Sequence, residues 1–425
     1  MTSNAIPAVP ALRALAALLT LSCAGSLAQA QTPPAEPADP VAALVGRLDL
    51  ERYKATVKGL TQFGDRRQGT ERNRKALDWI EAQLKAGGCT NTERLQYLYT
   101  EPARRTPGTP QPARAGGPAG QGGSTLFGQR GPTGVNTDPL AKPDERLRQL
   151  NAEPTPEGTS QRENVYCTKV GSSRPDEMYI VGAHMDGIGF GEAANDDGSG
   201  TALVMELARI FSLPGVQTER SIRFVLWNNE ETGLQGASAY VAQRKGLQGL
   251  EMPKGSGLYP EPKWLGMIQH DMMMFDHGMP VAKLDASGKP VLDAKGQPVY
   301  APPKEQRAEA DVNIEYQSDS KYAEGAAKLA WAFRAANDRY ATRYPAAVGF
   351  HMTNTDSTPF MNEVPAISLR ENERGQQIGA GWNPHWHQPT DLYASYSDKD
   401  FLLGLNAAQT TLAAIAQLTG AKFKN

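Results

Sequence analysis

Two adjacent glutamates, Glu230 and Glu231, follow an apolar run that reads SIRFVLWNN. Residues 225–227 are typical of a strand that is buried on both faces. Carboxylates at the end of such a strand are costly unless something positive lies there, and ligands bind at the carboxyl ends of strands in open α/β sheets. The pair predicts a metal site with one glutamate as ligand and the other free for proton transfer. The alternative, for the pair alone, is an acidic solvated turn.

Two further motifs place metal-binding residue types after strands. The strand YIVGA ends in His184, and Asp186 two residues later faces the same way on an extended chain. The imidazole can then bind metal while the carboxylate orients it. Asp196 lies in NDDGSG, just before a predicted helix, where a carboxylate can bridge two metals. The alternative there is an aspartate that caps the helix beside a second, solvated one.

The remaining candidates come later in the chain. GMIQHD brings Asp271 to a strand end with His270 facing the other way, and NPHWHQPTDLY offers His385, His387 and Asp391. Mixed nitrogen and oxygen ligands favour zinc, with cobalt and manganese as alternatives. Two histidines and three carboxylates serve two metals about 3.5–4 Å apart if one carboxylate bridges.

Alternating strands and helices must position these residues. Helical patterns cover 41–85, and strands are predicted at 178–184, 221–227, 264–274 and 364–370. Between and after them, helices are predicted at 199–211, 234–244, 321–338 and 400–420. The pattern predicts an α/β fold with a mixed, mainly parallel central sheet and helices on both faces.

The domain organisation follows from composition. Residues 1–30 form a predicted signal peptide, 31–40 a Pro-rich lead-in, and 41–425 a single domain. Residues 103–160 are rich in Gly, Pro and Arg and predict a disordered insertion. Residues 277–315 carry two short units with Gly turns and predict a hairpin-like insertion.

The N-terminus predicts export. Arg13 precedes the apolar stretch 14–21, and Ala28-Gln29-Ala30 is a typical cleavage site. We expect a secreted or periplasmic protein, with lipid attachment at Cys23 as the minor alternative. The two other cysteines, Cys89 and Cys167, suggest a disulfide between antiparallel strands, the alternative being two buried thiols.

Charge and hydropathy limit the partners. The net charge of −2 gives no reason to expect nucleic acid or an anionic membrane. No mature segment is apolar for long enough to predict a membrane span. The oligomeric state is left open.

The ordered motifs AHMD, ANDDGSG, NNEETGLQGASAYV, QHDM, DSTPF and HWHQPTD resemble the M28 family of di-zinc metallopeptidases, of the aminopeptidase Y and leucyl-aminopeptidase type. The motifs cover about 160–400, and the helices at 41–85 resemble the family's N-terminal part. The resemblance implies the zinc-dependent exopeptidase fold, which is phosphorylase/hydrolase-like, and peptide substrates. It implies two zinc ions held by His184, the bridging Asp196, Glu231, Asp271 and His387.

Further roles are implied by the same resemblance. Glu230 is the general base that takes a proton from the zinc-activated water, and Asp186 and Asp391 support the ligands. Trp386 stands where the family often has a tyrosine that stabilises the oxyanion, so either its indole or Tyr393 is the expected donor. The segment 355–360 lacks the family's histidine and is expected to shape the site.

The main hypothesis is an exported aminopeptidase. A carboxypeptidase or dipeptidase of the same family is the nearest alternative, and Arg370 is the residue that would bind a substrate carboxylate. More distant alternatives are a glutaminyl-cyclase-like acyltransferase with one zinc and a non-catalytic binding homologue.

Overall fold

Helices pack against an eight-stranded mixed sheet in the computed structural model of this protein, as the sequence predicted. The structure describes residues 39–102, 135–136, 138, 140–141, 144–276, 281–296, 299–301, 312–371 and 383–423. The helices are α1 (Pro40–Val45), α2 (Leu50–Thr61), α3 (Glu71–Ala86), α4 (Glu145–Asn151), α5 (Gly198–Phe211), α6 (Gln235–Arg244), α7 (Ala323–Tyr340) and α8 (Asp398–Thr419).

The strands are β1 (Thr92–Glu101), β2 (Gly158–Lys169), β3 (Arg174–His184), β4 (Val216–Gln217), β5 (Arg220–Trp227), β6 (Lys263–His270), β7 (Val281–Ala282), β8 (Tyr300–Ala301), β9 (Val312–Glu315), β10 (Ala346–Gly349), β11 (Ala366–Arg370) and β12 (Lys422–Phe423). The main sheet has the order β1-β2-β5-β3-β6-β11-β9-β10. Its four central strands, β5, β3, β6 and β11, are parallel. Their carboxyl ends therefore meet at one edge of the sheet.

Two apolar clusters cover the two faces of this sheet. The larger includes α5 and α8, whose inward residues such as Leu203 and Leu412 are fully buried. The smaller is aromatic and centres on Trp227, Tyr240 and Phe360. The C-terminal parts of β3 and β5 are buried on both faces, and residues 180–183 and 224–227 are accordingly apolar without interruption.

Several predicted boundaries were wrong. The first helical pattern breaks after Val45, and α2 begins anew at Leu50 because Asp49 accepts a hydrogen bond from the Arg52 N–H. The predicted disordered insertion contains α4 and the start of β2 in its C-terminal part. Residues 1–38, which include the predicted signal peptide and Cys23, and residues 103–134 lie outside the described residues.

The second insertion is also more varied than predicted. Strands β7 and β8 do pair as an antiparallel hairpin. The last strand of this region, β9, leaves the hairpin and joins the main sheet beside β11. The sequence prediction missed both β9 and β10, each of which is only four residues long.

One helix tests the expectation of no membrane span. Among the described residues, α8 alone is long and apolar enough to cross a bilayer by length and composition. Most of its apolar window, 72%, is buried inside the protein, as in the core helix of a globular domain.

A disulfide joins Cys89 and Cys167, as predicted, with the two Cα atoms 6.3 Å apart. Strands β1 and β2 are antiparallel, and Thr92 lies opposite Cys167 in their register. The bond closes a loop with a sequence separation of 78 residues, so it restricts the unfolded chain strongly.

Replacing both cysteines (C89S/C167S) is expected to lower the free energy of unfolding by about 4 kcal/mol, from the loop-closure entropy of the unfolded chain. Urea denaturation of the wild-type protein and the variant measures the difference. A reducing agent should destabilise the wild-type protein by a similar amount and leave the double variant unchanged. Equal midpoints for the oxidised wild-type protein and the variant would contradict a stabilising role.

Candidate metal centre

Five segments deliver acidic and histidine side chains to the carboxyl edge of the sheet. Strand β3 ends at His184, β5 leads to Glu230 and Glu231, and β6 leads to Asp271. Asp196 precedes the N-terminus of α5. His387 arrives from a loop near the end of the chain, where it has a φ of 56°.

Asp196 lies between the two histidines. Its Oδ1 is 3.3 Å from His184 Nε2, and its Oδ2 is 3.0 Å from His387 Nε2. Each histidine has a second carboxylate partner: Asp271 Oδ1 is 3.9 Å from His184 Nε2, and Glu231 Oε2 is 3.0 Å from His387 Nε2. The centre therefore has two halves, a His184 half and a His387 half, which share Asp196.

The two adjacent glutamates occupy different positions. Glu231 contacts His387, whereas a carboxylate oxygen of Glu230 lies within 4.8 Å of the donor atoms of His184 and Asp271. The Glu230 backbone N–H donates to Asp186 Oδ1 at 3.1 Å. Geometry alone makes either glutamate a potential ligand, but only Glu231 makes a direct histidine contact among the described ion pairs.

The pKa values in this cluster shift because negative charge is buried. Burial raises the pKa of Glu231 to about 7, with His387 opposing the shift and Asp196 adding to it. Burial also raises the pKa of Glu230 well above its usual range. Burial opposes the charged form of His387, but Glu231 and Asp196 outweigh it and raise its pKa to about 11. The centre thus favours positive charge at its histidines.

The donor set fits a divalent metal. Buried polar atoms without a hydrogen-bond partner include Glu231 Oε1 and His387 Nδ1, and such atoms are rare in folded proteins. Two groups of side chains bring their donor atoms within 4.8 Å of one another: His184, Glu230 and Asp271, and His184, Asp196 and Glu231. Imidazole and carboxylate donors together suit a transition metal of intermediate softness.

Asp186 supports the centre in a different way from the one predicted. The His184 ring is held by the backbone carbonyl of Asp186, with Nδ1 2.9 Å from that oxygen, whereas the Asp186 carboxylate is 3.9 Å from the ring. The carboxylate instead accepts the N–H of Glu230. Asp186 therefore fixes both the histidine of one strand end and the glutamate of the next.

Asp391 likewise contacts a different partner from the predicted one. Its two oxygens accept the backbone N–H groups of Asn195 and Asp196, at 2.9 and 3.1 Å, and the Tyr396 hydroxyl donates to it at 2.9 Å. The described hydrogen bonds of Asp391 do not include the His387 ring. Asp391 thus positions the shared carboxylate, and not the histidine four residues before it.

The two predicted oxyanion donors differ in location. Trp386 stacks on His387, with ring centroids 4.0 Å apart, so its indole lies against the centre. The ring of Tyr393 packs against Phe401 and lies under the ammonium of Lys58, and its described contacts include none of the candidate metal ligands. Tyr393 contributes its backbone N–H, which donates to Glu192 at 2.9 Å.

The histidine orientation on β6 is as predicted. His270 faces away from the centre, with its two ring nitrogens at hydrogen-bond distance from the Gly182 carbonyl and the Thr411 hydroxyl. His385, the other histidine of its loop, contacts the Thr390 hydroxyl.

Arg370 was the candidate for binding a substrate carboxylate in the carboxypeptidase alternative, but it is already paired within the protein. It is buried, and its Nη2 donates to Asp271 Oδ2 at 2.5 Å. Burial opposes the ionisation of Asp271, but Arg370 and His184 outweigh it and lower the pKa of Asp271 to about 2.

Sequence reasoning missed two polar residues beneath the centre. Arg66 is fully buried and donates to the carbonyls of Met185, Glu192 and Ala193, so it fixes the loop that connects His184 to Asp196. Asp197 was considered only as a cap or a solvated residue. It does cap α5, but it is buried and also accepts the backbone N–H of His184 and of Met272.

Glycines allow the loop after β3 to pack against the loop of His387. A Cβ on Gly189, whose φ is +94°, would lie 2.4 Å from the carbonyl carbon of His387. A Cβ on Gly191 would lie 2.8 Å from the Gln388 carbonyl oxygen. The signal for this contact was present in the sequence as GIGFG at 187–191, but its partner is almost two hundred residues away.

The sequence profile of peptidase family M28 matches residues 164–320. Among curated proteins, the chain is 45% identical over 67 residues to aminopeptidase YwaD of Bacillus subtilis (strain 168), which is 16% of this chain and 14% of that protein. It is 37% identical over 82 residues to carboxypeptidase Q of Xenopus laevis, which is 19% of this chain and 18% of that protein. The alignments thus span less than a fifth of either relative.

Solved structures resemble the fold over most of the chain. An aminopeptidase from Aneurinibacillus sp. strain AM-1 has a TM-score of 0.54 at 19% identity, covering 91% of this chain and 97% of that one. A zinc aminopeptidase from Bacillus subtilis has a TM-score of 0.53 at 14% identity, covering 89% and 98%. A glutaminyl cyclase from Porphyromonas gingivalis has a TM-score of 0.51 at 16% identity, covering 87% and 98%. At these identities the likeness establishes the fold.

The contact at Gly189 generates a prediction about metal binding. Gly189→Ala is expected to displace His387 and to release the metal of the His387 half, so that bound metal falls by about half if two ions are held. Elemental analysis of the purified protein measures this. Gly215→Ala is the matched control, because Gly215 also has a positive φ (+84°) but a Cβ added there would meet no atom within 4 Å. Equal metal content in both variants would contradict the prediction.

Proposed function

This chain belongs to peptidase family M28, and on that premise we propose that it is an exported, zinc-dependent aminopeptidase. The observation that carries the proposal is the position of Asp196, with one oxygen facing each of two histidines. A carboxylate in that position can hold two metal ions side by side. Such a pair suits hydrolysis of an amide bond.

The proposed ligands follow from the two halves of the centre. His387, Glu231 and Asp196 would hold one zinc ion, and His184, Asp271 and Asp196 the other. When bound, zinc would supply a water molecule that ionises near neutral pH and a Lewis acid for the substrate carbonyl. Cobalt or manganese could take the same donors.

Glu230 is proposed as the general base. Its carboxylate is buried beside the His184 half, and its backbone is fixed by Asp186. A carboxylate whose pKa is raised by burial is suited to accept a proton from water and to deliver it to the leaving amine nitrogen. Trp386, stacked on His387, is the proposed neighbour of the developing oxyanion.

Which end of a peptide is cleaved depends on which residues bind the terminus of the substrate. A carboxypeptidase needs a cation for the terminal carboxylate, and Arg370 was the candidate. Because Arg370 is buried and paired with Asp271, it is not presented to a substrate. An excess of buried carboxylates favours the α-ammonium group of a peptide N-terminus instead.

Export is proposed from two observations of different kinds. The sequence of residues 1–30 is typical of a secretory signal. The Cys89–Cys167 disulfide is typical of proteins that fold in an oxidising compartment. We therefore propose a secreted or periplasmic location.

The roles of the two glutamates can be separated by mutation. Glu230→Gln is expected to retain zinc but to lose about 10²–10⁴-fold in turnover, the usual contribution of a general base. Glu231→Ala should instead lower the zinc content. Elemental analysis and the hydrolysis of aminoacyl-anilides measure the two effects, and Glu324→Gln on the exposed face of α7 is the control. A wild-type rate for Glu230→Gln would refute the assignment of Glu230 as general base. Loss of zinc from Glu230→Gln would mean that the roles of the two glutamates are exchanged.

The class of exopeptidase is tested by its products. A mixed peptide library should release single residues from N-termini, and a chelator should abolish the release until zinc is restored. Mass spectrometry identifies the products. Release from C-termini would establish a carboxypeptidase, and cyclised N-terminal glutamine would establish a cyclase-like acyltransferase.

A further inference from the structure

The two halves of the metal centre differ in their surroundings. In the His387 half, Glu231 Oε1 has no hydrogen-bond partner among the residues that the structure describes. In the His184 half, the outer oxygen of Asp271 is already bound by the guanidinium of Arg370, with Nη2 2.5 Å from Oδ2. The His184 half therefore contains an arginine bound to one of its carboxylates, whereas no described ion pair joins an arginine or lysine to Glu231.

Arg370 cannot move away from this contact easily. Its side chain is only 2% exposed, and Nη2 also donates to the backbone carbonyl of Asn354. The residue ends strand β11, which pairs on one side with β6 and on the other with β9. The guanidinium is thus fixed by the central sheet, and its charge remains where Asp271 lies.

A fixed cation beside a ligand weakens the attraction of that ligand for a metal cation. Like charges repel strongly where water is excluded, and Asp271 is itself 4% exposed. The Arg370 hydrogen bond also withdraws charge from the carboxylate whose other oxygen, Oδ1, faces His184. Both effects act on the His184 half. No described ion pair places an arginine or lysine beside Glu231 or His387 in the same way.

We propose that Arg370 is a positioning residue whose charge makes the His184–Asp271 half the weaker, exchangeable metal position, while the His387–Glu231 half retains its ion. The inference rests on the proposed zinc function. It assigns to Arg370 a role in metal occupancy, in place of the substrate recognition considered for it in the carboxypeptidase alternative. The ion that leaves first is then the one nearest Glu230, since Glu230 belongs to the His184 group.

The test uses the whole chain after removal of the predicted signal peptide, freed of metal. This protein is titrated with Zn²⁺ alone, in competition with a chromophoric chelator. The wild-type protein should bind two ions with dissociation constants that differ at least tenfold. Asp271→Asn should remove the weaker binding event, and Glu231→Gln the tighter one. These two variants leave Arg370 intact, so they test the order of filling even if an Arg370 variant fails to fold.

Arg370→Gln then separates charge from hydrogen bonding, because glutamine can still donate to Asp271. It should tighten the weaker event by tenfold or more and leave the tighter one within about twofold. Arg370→Lys keeps the charge and should keep the wild-type difference. Arg94→Gln is the matched control, since Arg94 also pairs with carboxylates but lies on β1, among Asp78, Glu81 and Glu163. Circular dichroism of each metal-free variant establishes that it is folded.

The outcomes distinguish this inference from the proposed function. Equal affinities in the wild-type protein, loss of the tighter event in Asp271→Asn, or an unchanged or weakened second event in Arg370→Gln would each overturn the role of Arg370. A protein that binds no zinc, with Glu231→Gln equal to the wild type, would overturn the proposed function itself.

Discussion

The carboxylate of Asp196 lies between two histidines, and several further carboxylates share the same buried edge of the sheet. Burial of so much negative charge is costly unless each group is neutralised or hydrogen-bonded. The structure divides the carboxylates into two kinds. Asp186, Asp197 and Asp391 accept backbone N–H groups and hold loops in place. Asp196, Glu231 and Asp271 face histidines, and Asp271 also pairs with Arg370. A divalent cation would balance the negative charge that remains.

This division explains why the centre needs the whole sheet. Each of the three aspartates that accept backbone N–H groups connects one strand end or loop to another. Asp186 connects β3 to the turn after β5, and Asp197 connects β3 to the loop after β6. Asp391 connects its own loop to Asp196. The side chains that face the candidate metal positions are therefore held at fixed separations by hydrogen bonds that do not involve a metal. Binding of a metal to such a preorganised set would also stabilise the fold, because ligand binding to the native state adds to its stability.

The sequence predicted most of the strands and the residues that converge, because those signals are local. A buried strand followed by acidic residues, or an aspartate before a helix, is visible within a few residues, as for His184 and Asp196. The true contacts of Asp391 were not predictable in this way. Its partners at 195 and 196 lie in a loop that only the folded chain brings near, so proximity in sequence wrongly favoured His387. Strands β9 and β10 were missed because each is too short to show a period.

The segment that contains Arg66 and Asn73 supports the centre although it contributes no candidate ligand. Arg66 holds the carbonyls of the loop between His184 and Asp196. Asn73 on α3 exchanges two hydrogen bonds with Asn228, at the turn that presents the glutamates. Both supports lie outside residues 164–320, the part that matches the family profile, and so does His387. A fragment restricted to that part would retain Glu230, Glu231 and the Asp186 carboxylate that accepts the Glu230 N–H, but it would lose Arg66, Asn73 and His387. The centre therefore depends on contacts from both ends of the described chain.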